Sequence, residues 1–342
     1  MRKGKRLRLM YHRVLLGPFP LFFVVALVVS SGAAEQPDAD RFGPIDWAEP
    51  ARLASRSLLL DVAVEGDRVV VVGERGHILL SEDQGATWRQ ADVPTRSMLT
   101  GVAMIGGSHL WAVGHDAVIV ASSDSGRTWV RQFYAPDEER PLLDVWFENA
   151  SHGIAVGAYG LFLETADGGA TWQQRTVDEE ERHWNAIGCS RDGTLYVAAE
   201  SGVVFRSQDK GKKWDRIETP YKGSYFGVLA LSDDSVIVFG LRGNVYRSSD
   251  GGLRWGQIPT ETKASLLGGC QLADGTIVLV GLSGTVLVGL DSGATFVSAN
   301  RPDRKGVAAA AEVAARKKLL LVGEGGIEWM DRPAVSPERH TP

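Results

Sequence analysis

Six near-copies of one turn, each closed by an aromatic residue, recur about every forty residues between Ser81 and Phe296. The first reads Ser81-Glu-Asp83-Gln-Gly85-Ala-Thr87-Trp88, and the others centre on Asp124, Asp167, Asp209, Asp250 and Asp291. Before each turn lies a second recurring element, an apolar run broken by a Gly-x-x-Gly step. Its leading positions are Gly73, Gly114, Gly157, Ala199, Gly240, Gly281 and Gly323, spaced 41 to 43 residues apart. A fixed period of this size is the signature of a repeat architecture, and it overrides any reading of isolated segments.

Within a repeat, alternating and β-branched residues bounded by turn formers give four short strands. In the first repeat these are expected at about Leu58 to Val64, Arg68 to Val72, His77 to Ser81 and Thr87 to Ala91. Four strands per repeat of about 40 to 45 residues predict an all-β, seven-bladed β-propeller. The last repeat ends at Trp329 without a turn of its own, and Trp47 precedes Trp88 by 41 residues. An N-terminal strand near Trp47, within Ile45 to Ala51, is therefore expected to close the last blade. That arrangement would also protect a strand edge.

The first 34 residues stand apart. Arg2, Lys3, Lys5, Arg6, Arg8 and Arg13 precede the apolar stretch Leu15 to Val29, and small residues follow to Ala34. This order is that of a secretory signal peptide. The expected division is a signal peptide over 1–34, one propeller over 35–332 and a flexible tail over 333–342. The mature protein would be periplasmic or secreted, or membrane-anchored if the leader is retained. Losing the leader removes six basic and no acidic residues, which moves the formal net charge from −5 to −11. A surface of that sign is a poor partner for nucleic acid, whose binding is driven by cations. Cys189 and Cys270 fall in inner strands of different blades and are expected as separate thiols rather than a bridge. The seven histidines lack ligand spacing, so neither a metal nor another cofactor is expected.

In each turn the Asp carboxylate is placed to accept following backbone N–H groups, the Gly tolerates positive φ and the aromatic residue packs sideways. Asp83, Asp124, Asp167, Asp209, Asp250 and Asp291 are thus read as structural; one carboxylate per loop is too few for calcium. These turns resemble the Asp-box, or bacterial neuraminidase repeat. Together with steps such as Gly73-Glu-Arg75-Gly76-His-Ile78 and Gly240-Leu-Arg242-Gly243-Asn-Val245, the chain resembles the seven-bladed photosystem II stability and assembly factor family over about Ile45 to Asp331. The resemblance implies a non-catalytic lumenal or periplasmic scaffold that binds a membrane protein or its precursor through an arginine-rich patch. Arg75 and Arg242 occupy the Arg-Gly position, where the other repeats hold Asp116, Tyr159, Ser201, Ser283 and Gly325.

Strands running from centre to rim would place the second-to-third-strand loops and the connections between blades on one face. Variable loops on a rigid ring are where binding resides. Arg75, His115, Asp116, Tyr159, Trp184, Tyr225 and Arg242 are the candidate protein-binding residues. Trp184 and Tyr225 begin inner strands, where an aromatic can equally plug the channel mouth. The run Asp178 to Glu181 reads as a solvated acidic loop or as a recognition element. An accessory to an inner-membrane transporter or envelope machine is an alternative with a different client. Glycoside hydrolysis of a sialidase or xyloglucanase-like type is the other alternative, because Asp-box propellers include such glycosidases. It needs two carboxylates across a scissile bond, and inner-strand Asp61 and Asp144 are the candidate pair. Their columns elsewhere hold Gly101, Gly227 and Gly268, which points to packing at a crowded axis, and the chain has no Arg-Ile-Pro element of the sialidase kind.

Overall fold

The computed structural model describes residues 41–333. The expected leader and all but the first residue of the expected tail lie outside them. Seven antiparallel sheets are present, six of four strands and one of three, each ordered in sequence from inner to outer strand. The inner strands are Leu59–Glu65, Leu99–Ile105, Leu142–Phe147, Trp184–Cys189, Tyr225–Ala230, Leu266–Gln271 and Val307–Val313. They pack side by side around one central channel. Blades are numbered 1 to 7 in chain order. This is the seven-bladed propeller that the repeat period predicts.

Two turn chemistries build every blade. Between second and third strands the apex residues of six blades, from Arg75-Gly76 to Ser283-Gly284, both have positive φ. In blade 1 the His77 N–H donates to the Glu74 carbonyl across this pair at 3.0 Å. Two consecutive positive φ values define a type I′ turn, which matches the twist of the flanking strands. Gly76 is required twice over, by its φ of +71° and because a Cβ there would run into the Thr95 carbonyl oxygen. Blade 2 departs from this rule by placing Ala117 at φ +51°.

Between third and fourth strands the Asp turn is a hydrogen-bonded knot. The Ser81 hydroxyl donates to Asp83 Oδ1 at 2.7 Å and accepts the Gly85 N–H at 2.7 Å, while Thr87 donates its N–H to Oδ1 and its hydroxyl to Oδ2. Asp124 and Asp167 repeat the pattern. Asp209 and Asp250 keep the Oδ1 half only, since Lys213 and Arg254 replace the threonine. Asp291 differs: with Gly289 in place of the hydroxyl residue, its carboxylate makes none of these bonds among the described residues, and backbone alone closes that turn. Five of the six aspartates thus accept a hydroxyl within their own turn.

The apolar core is divided among the clefts between neighbouring blades. Trp184, for example, stacks on Phe205 with ring centroids 4.3 Å apart and meets Phe162 and Trp214 edge-on, between blades 3 and 4. Blade 7 meets blade 1 in the same way, through Leu59, Val71, Leu79, Val313, Leu320 and Val322. Cys189 and Cys270 are separate free thiols.

The expected closing strand is not there. Blade 7 ends at Gly326–Asp331 as a three-stranded sheet. The Trp47 stretch forms no strand and lies instead against the rims of blades 1 and 2. The Ala48 N–H donates to the Val93 carbonyl at 2.9 Å, Gln90 bonds the Ala51 N–H and the Glu49 carbonyl, and Arg131 donates to the Gly43 carbonyl at 2.8 Å. Arg96 pairs with Asp46 and Glu49. The physical reason is local. Pro44 and Pro50 supply no ladder N–H, and only Ala48 of the stretch is buried, leaving Trp47 50 % exposed. A short 3-10 turn, Ala54–Arg56, then crosses to blade 7 and covers the Gly326 end of its last strand.

Candidate functional site

Antiparallel pairing from inner to outer strand puts the seven second-to-third turns and the connections between blades on one face, and the Asp turns on the other. The first face carries the non-repeating side chains. Arg75 and Arg242 are exposed at their turn apexes, and among the described residues neither guanidinium has a carboxylate partner. His115 is exposed beside Asp116, whose Oδ2 accepts the Ser97 hydroxyl at 2.6 Å, so Asp116 is half-buried and committed to holding its own loop. Tyr159 is 52 % exposed and its ring lies 4.6 Å from that of His183, whose backbone N–H donates to Glu200.

Two sequence candidates leave this surface. Trp184 is 1 % exposed within the aromatic cluster described above, and Tyr225 is fully buried with its hydroxyl 2.7 Å from that of Thr219. Burial pushes the Tyr225 phenol well above its usual range. Both are core residues at blade interfaces, unable to touch a partner. The acidic run is likewise split: Asp178 and Glu180 pair with the buried Arg182, and Glu180 also with Arg216. Glu179 and Glu181 point to solvent.

In the channel, every inner strand carries a bulge just after its first residue, at Leu60 and Leu143 for example. One residue per blade then stands at the same level: Asp61, Gly101, Asp144, Ala186, Gly227, Gly268 and Ala309. Asp61 accepts the Val62 N–H at 2.8 Å and the Val102 N–H of blade 2 at 2.9 Å. Asp144 does the same with Val145 at 2.7 Å and with Ile187 of blade 4 at 2.9 Å. Each carboxyl thus staples two blades. Burial raises both, with the Asp144 charge adding to the rise at Asp61. They line a space of about 210 Å³, which no third titratable side chain among the described residues lines.

Sequence reasoning overlooked the connections on the far side of the face. Lys263 lies between blades 5 and 6 and Arg304 between blades 6 and 7, both exposed beside the Ser283 apex. The only signal for them was the basic content of Asn300 to Gly306; Thr260 to Ser265, with Glu261 beside Lys263, gave none.

A family model described as photosynthesis system II assembly factor YCF48 matches residues 132–332. The photosystem II assembly lipoprotein Ycf48 of Synechococcus sp. (strain CC9902) is 34 % identical over 97 residues, 27 % of this chain and 29 % of that protein. The chloroplastic photosystem II stability/assembly factor HCF136 of Arabidopsis thaliana is 32 % identical over 95 residues, 26 % and 24 % of the two chains. The matched stretches thus span less than a third of either relative. A solved structure of YCF48 bound to D1 peptide aligns over 83 % of this chain and 95 % of that one, with TM-score 0.68 and 16 % identity. A streptogramin B lyase aligns over 83 % and 96 %, with TM-score 0.69 and 13 % identity. At these identities the structures share the fold alone, and the lyase shows that the fold also hosts an enzyme.

Proposed function

The chain belongs to the YCF48 family of photosystem II assembly factors, and from that membership we propose a non-catalytic scaffold that docks a membrane-protein precursor on the turn face, outside the cytoplasm. The observation that carries the reading is the pair Arg75 and Arg242. Both are exposed, both sit on left-handed apexes that aim the side chain outward, and neither is neutralised by a neighbour among the described residues. A guanidinium so placed offers a planar donor fork to carboxylates of a partner. A related structure is described as bound to D1 peptide, which supports a peptide segment of a membrane protein as the client class. A leader over 1–34 would deliver the propeller across the membrane. The net negative charge of the mature chain argues against nucleic acid.

Catalysis is disfavoured by the channel carboxyls, since the oxygens of Asp61 and Asp144 are engaged by backbone N–H groups of adjacent blades. A second reading, an accessory to a transporter or envelope machine, uses the same face for another client. It is favoured by Asp116, Tyr159, Ser201 and Ser283 at the other left-handed apexes.

Wild type and an Arg75→Glu/Arg242→Glu variant are to be compared for binding of a D1 peptide and for integral membrane proteins retained from the native envelope. The proposal expects a retained membrane protein that the variant loses. D1 peptide binding that disappears with it identifies the photosystem client; retention without D1 binding identifies the second reading. Equal retention by both proteins removes the arginine face from the function, and sugar release by the wild type would restore the hydrolase.

A further inference from the structure

A cavity of about 660 Å³ opens on the turn face between blades 5, 6 and 7. Its polar walls are Thr262 and Lys263, the apex Ser283, and Asn300, Arg301 and Arg304. Among the described residues no carboxylate lines it. The walls are fixed: the Arg301 N–H donates to the Gly284 carbonyl at 2.8 Å, the Arg304 N–H to the Arg301 carbonyl at 3.3 Å, and Gly284 packs so closely on the Arg304 backbone that a Cβ would come within 2.8 Å of its Cα.

The hydrogen-bonding capacity left over in this cavity is almost all of one kind. Asn300 Oδ1 already accepts the Val286 N–H at 3.1 Å, which turns its amide NH2 toward the opening as donor. The Thr262 oxygen accepts the Ala264 N–H at 3.0 Å, so its hydroxyl hydrogen remains to be given. The Ser283 hydroxyl has no partner among the described residues. Arg301, 15 % exposed, is neutralised by Asp303 and Glu328 and braces the wall. Lys263 and Arg304 have no carboxylate within ion-pair reach among the described residues. Two cations without an ion-pair partner and three available donors therefore converge, while the nearby acids Asp303 and Glu328 are engaged by Arg301.

We propose that this cavity is an oxyanion site, taking a carboxylate or phosphate group between Lys263 and Arg304 with Ser283 and Asn300 as neutral donors. Charge-assisted bonds of this kind are the strong ones, and planar guanidinium beside a point-charge ammonium accommodates either oxyanion geometry. The site is distinct from Arg75 and does not depend on the scaffold reading. Under that reading it would fix one acidic group of the docked segment.

The test is calorimetric titration of the full propeller with two probes, inorganic phosphate and acetyl-triglutamate. Variants are Lys263→Ala/Arg304→Ala, Ser283→Ala and, as a control in the connection between blades 4 and 5 on the same face, Lys222→Ala. All four positions are exposed, and unchanged thermal midpoints verify folding. The expected result is saturable binding of at least one probe, weakened about tenfold or more in the Lys263→Ala/Arg304→Ala protein, less in Ser283→Ala, and unchanged in Lys222→Ala. Binding of triglutamate alone assigns a peptide carboxylate as the source, and binding of phosphate alone assigns a phosphate. No saturable binding of either probe, or equal binding by the Lys263→Ala/Arg304→Ala protein, overturns the site. Because the arginines of the scaffold proposal are untouched, either proposal can fail without the other.

Discussion

Replacing both channel carboxyls, Asp61→Asn/Asp144→Asn, should flatten the dependence of stability on pH between 5 and 8. Burial first, and the Asp144 charge second, raise Asp61 to about 7, and burial raises Asp144 to about 6. A pKa raised by folding means that the native state favours the neutral carboxyl. The resulting stability is complete below the unfolded value near 3.8 and is lost as pH climbs through 6 and 7. At about 1.4 kcal/mol per unit the shifts would be worth several kcal/mol. Water in the channel reaches both groups, so about 3 kcal/mol for the pair is the better figure. For a chain of this size that corresponds to a melting midpoint roughly 5 °C lower at pH 8 than at pH 5. Asparagine keeps one acceptor but turns an NH2 toward the second N–H. The variant should therefore lose about 1 kcal/mol per site at pH 5 and gain relative to wild type at pH 8. Burial lowers His77, which acts with the opposite sign, so the readout is the difference between wild type and variant by scanning calorimetry across the range. If that difference does not change with pH, the carboxyls are not charged by the rise and the reasoning is wrong.

Three further outcomes follow from the turns and clefts. Gly76→Ala should destabilise by about 3 kcal/mol or more, because its Cβ meets the Thr95 carbonyl, whereas Ala117→Gly should stabilise by about 1 kcal/mol by relieving a left-handed alanine; urea midpoints decide both. Asp167→Ala removes the acceptor of the Thr165 hydroxyl and of the Thr171 N–H and hydroxyl and should cost about 2 kcal/mol, while Asp291→Ala should change the midpoint little. Equal costs would contradict the view that the knot needs its hydroxyl residue. Trp184→Ala should cost about 3–5 kcal/mol in chemical denaturation and leave the affinity of the folded fraction for D1 peptide as in wild type.

What was legible in the sequence was whatever a blade decides by itself. Glycine and aspartate columns report backbone needs that recur in each repeat, so Gly76, Gly243 and Asp167 stand where their pattern says, and the blade count follows. Relations between blades were hidden. Trp47 has the spacing of a closing aromatic, but spacing ignores the prolines at 44 and 50 that deny its stretch a ladder. Trp184 and Tyr225 look like channel-mouth residues until the strands twist and turn both into clefts. Asp61 and Asp144 stand out from their glycine columns, yet the N–H groups that hold them belong to blades whose register the chain order does not reveal. The cavity beside Ser283 was hidden for the same reason, being built from two connections and one apex that are separate in sequence.

Apart from the Ala54–Arg56 turn on the Gly326 end, the seam between first and last blades is held by side-chain packing. Six blades end in a fourth strand and the seventh does not, so no ladder spans the junction, and the N-terminal stretch is bound to the rims of blades 1 and 2 instead. A pull on the two ends of the described chain would therefore not load a row of backbone hydrogen bonds in shear. It would peel Leu59, Val71, Leu320 and Val322 apart one contact after another, which makes this junction the mechanical weak link, the place where the circle breaks first and where tension along the polypeptide is felt before any blade comes undone.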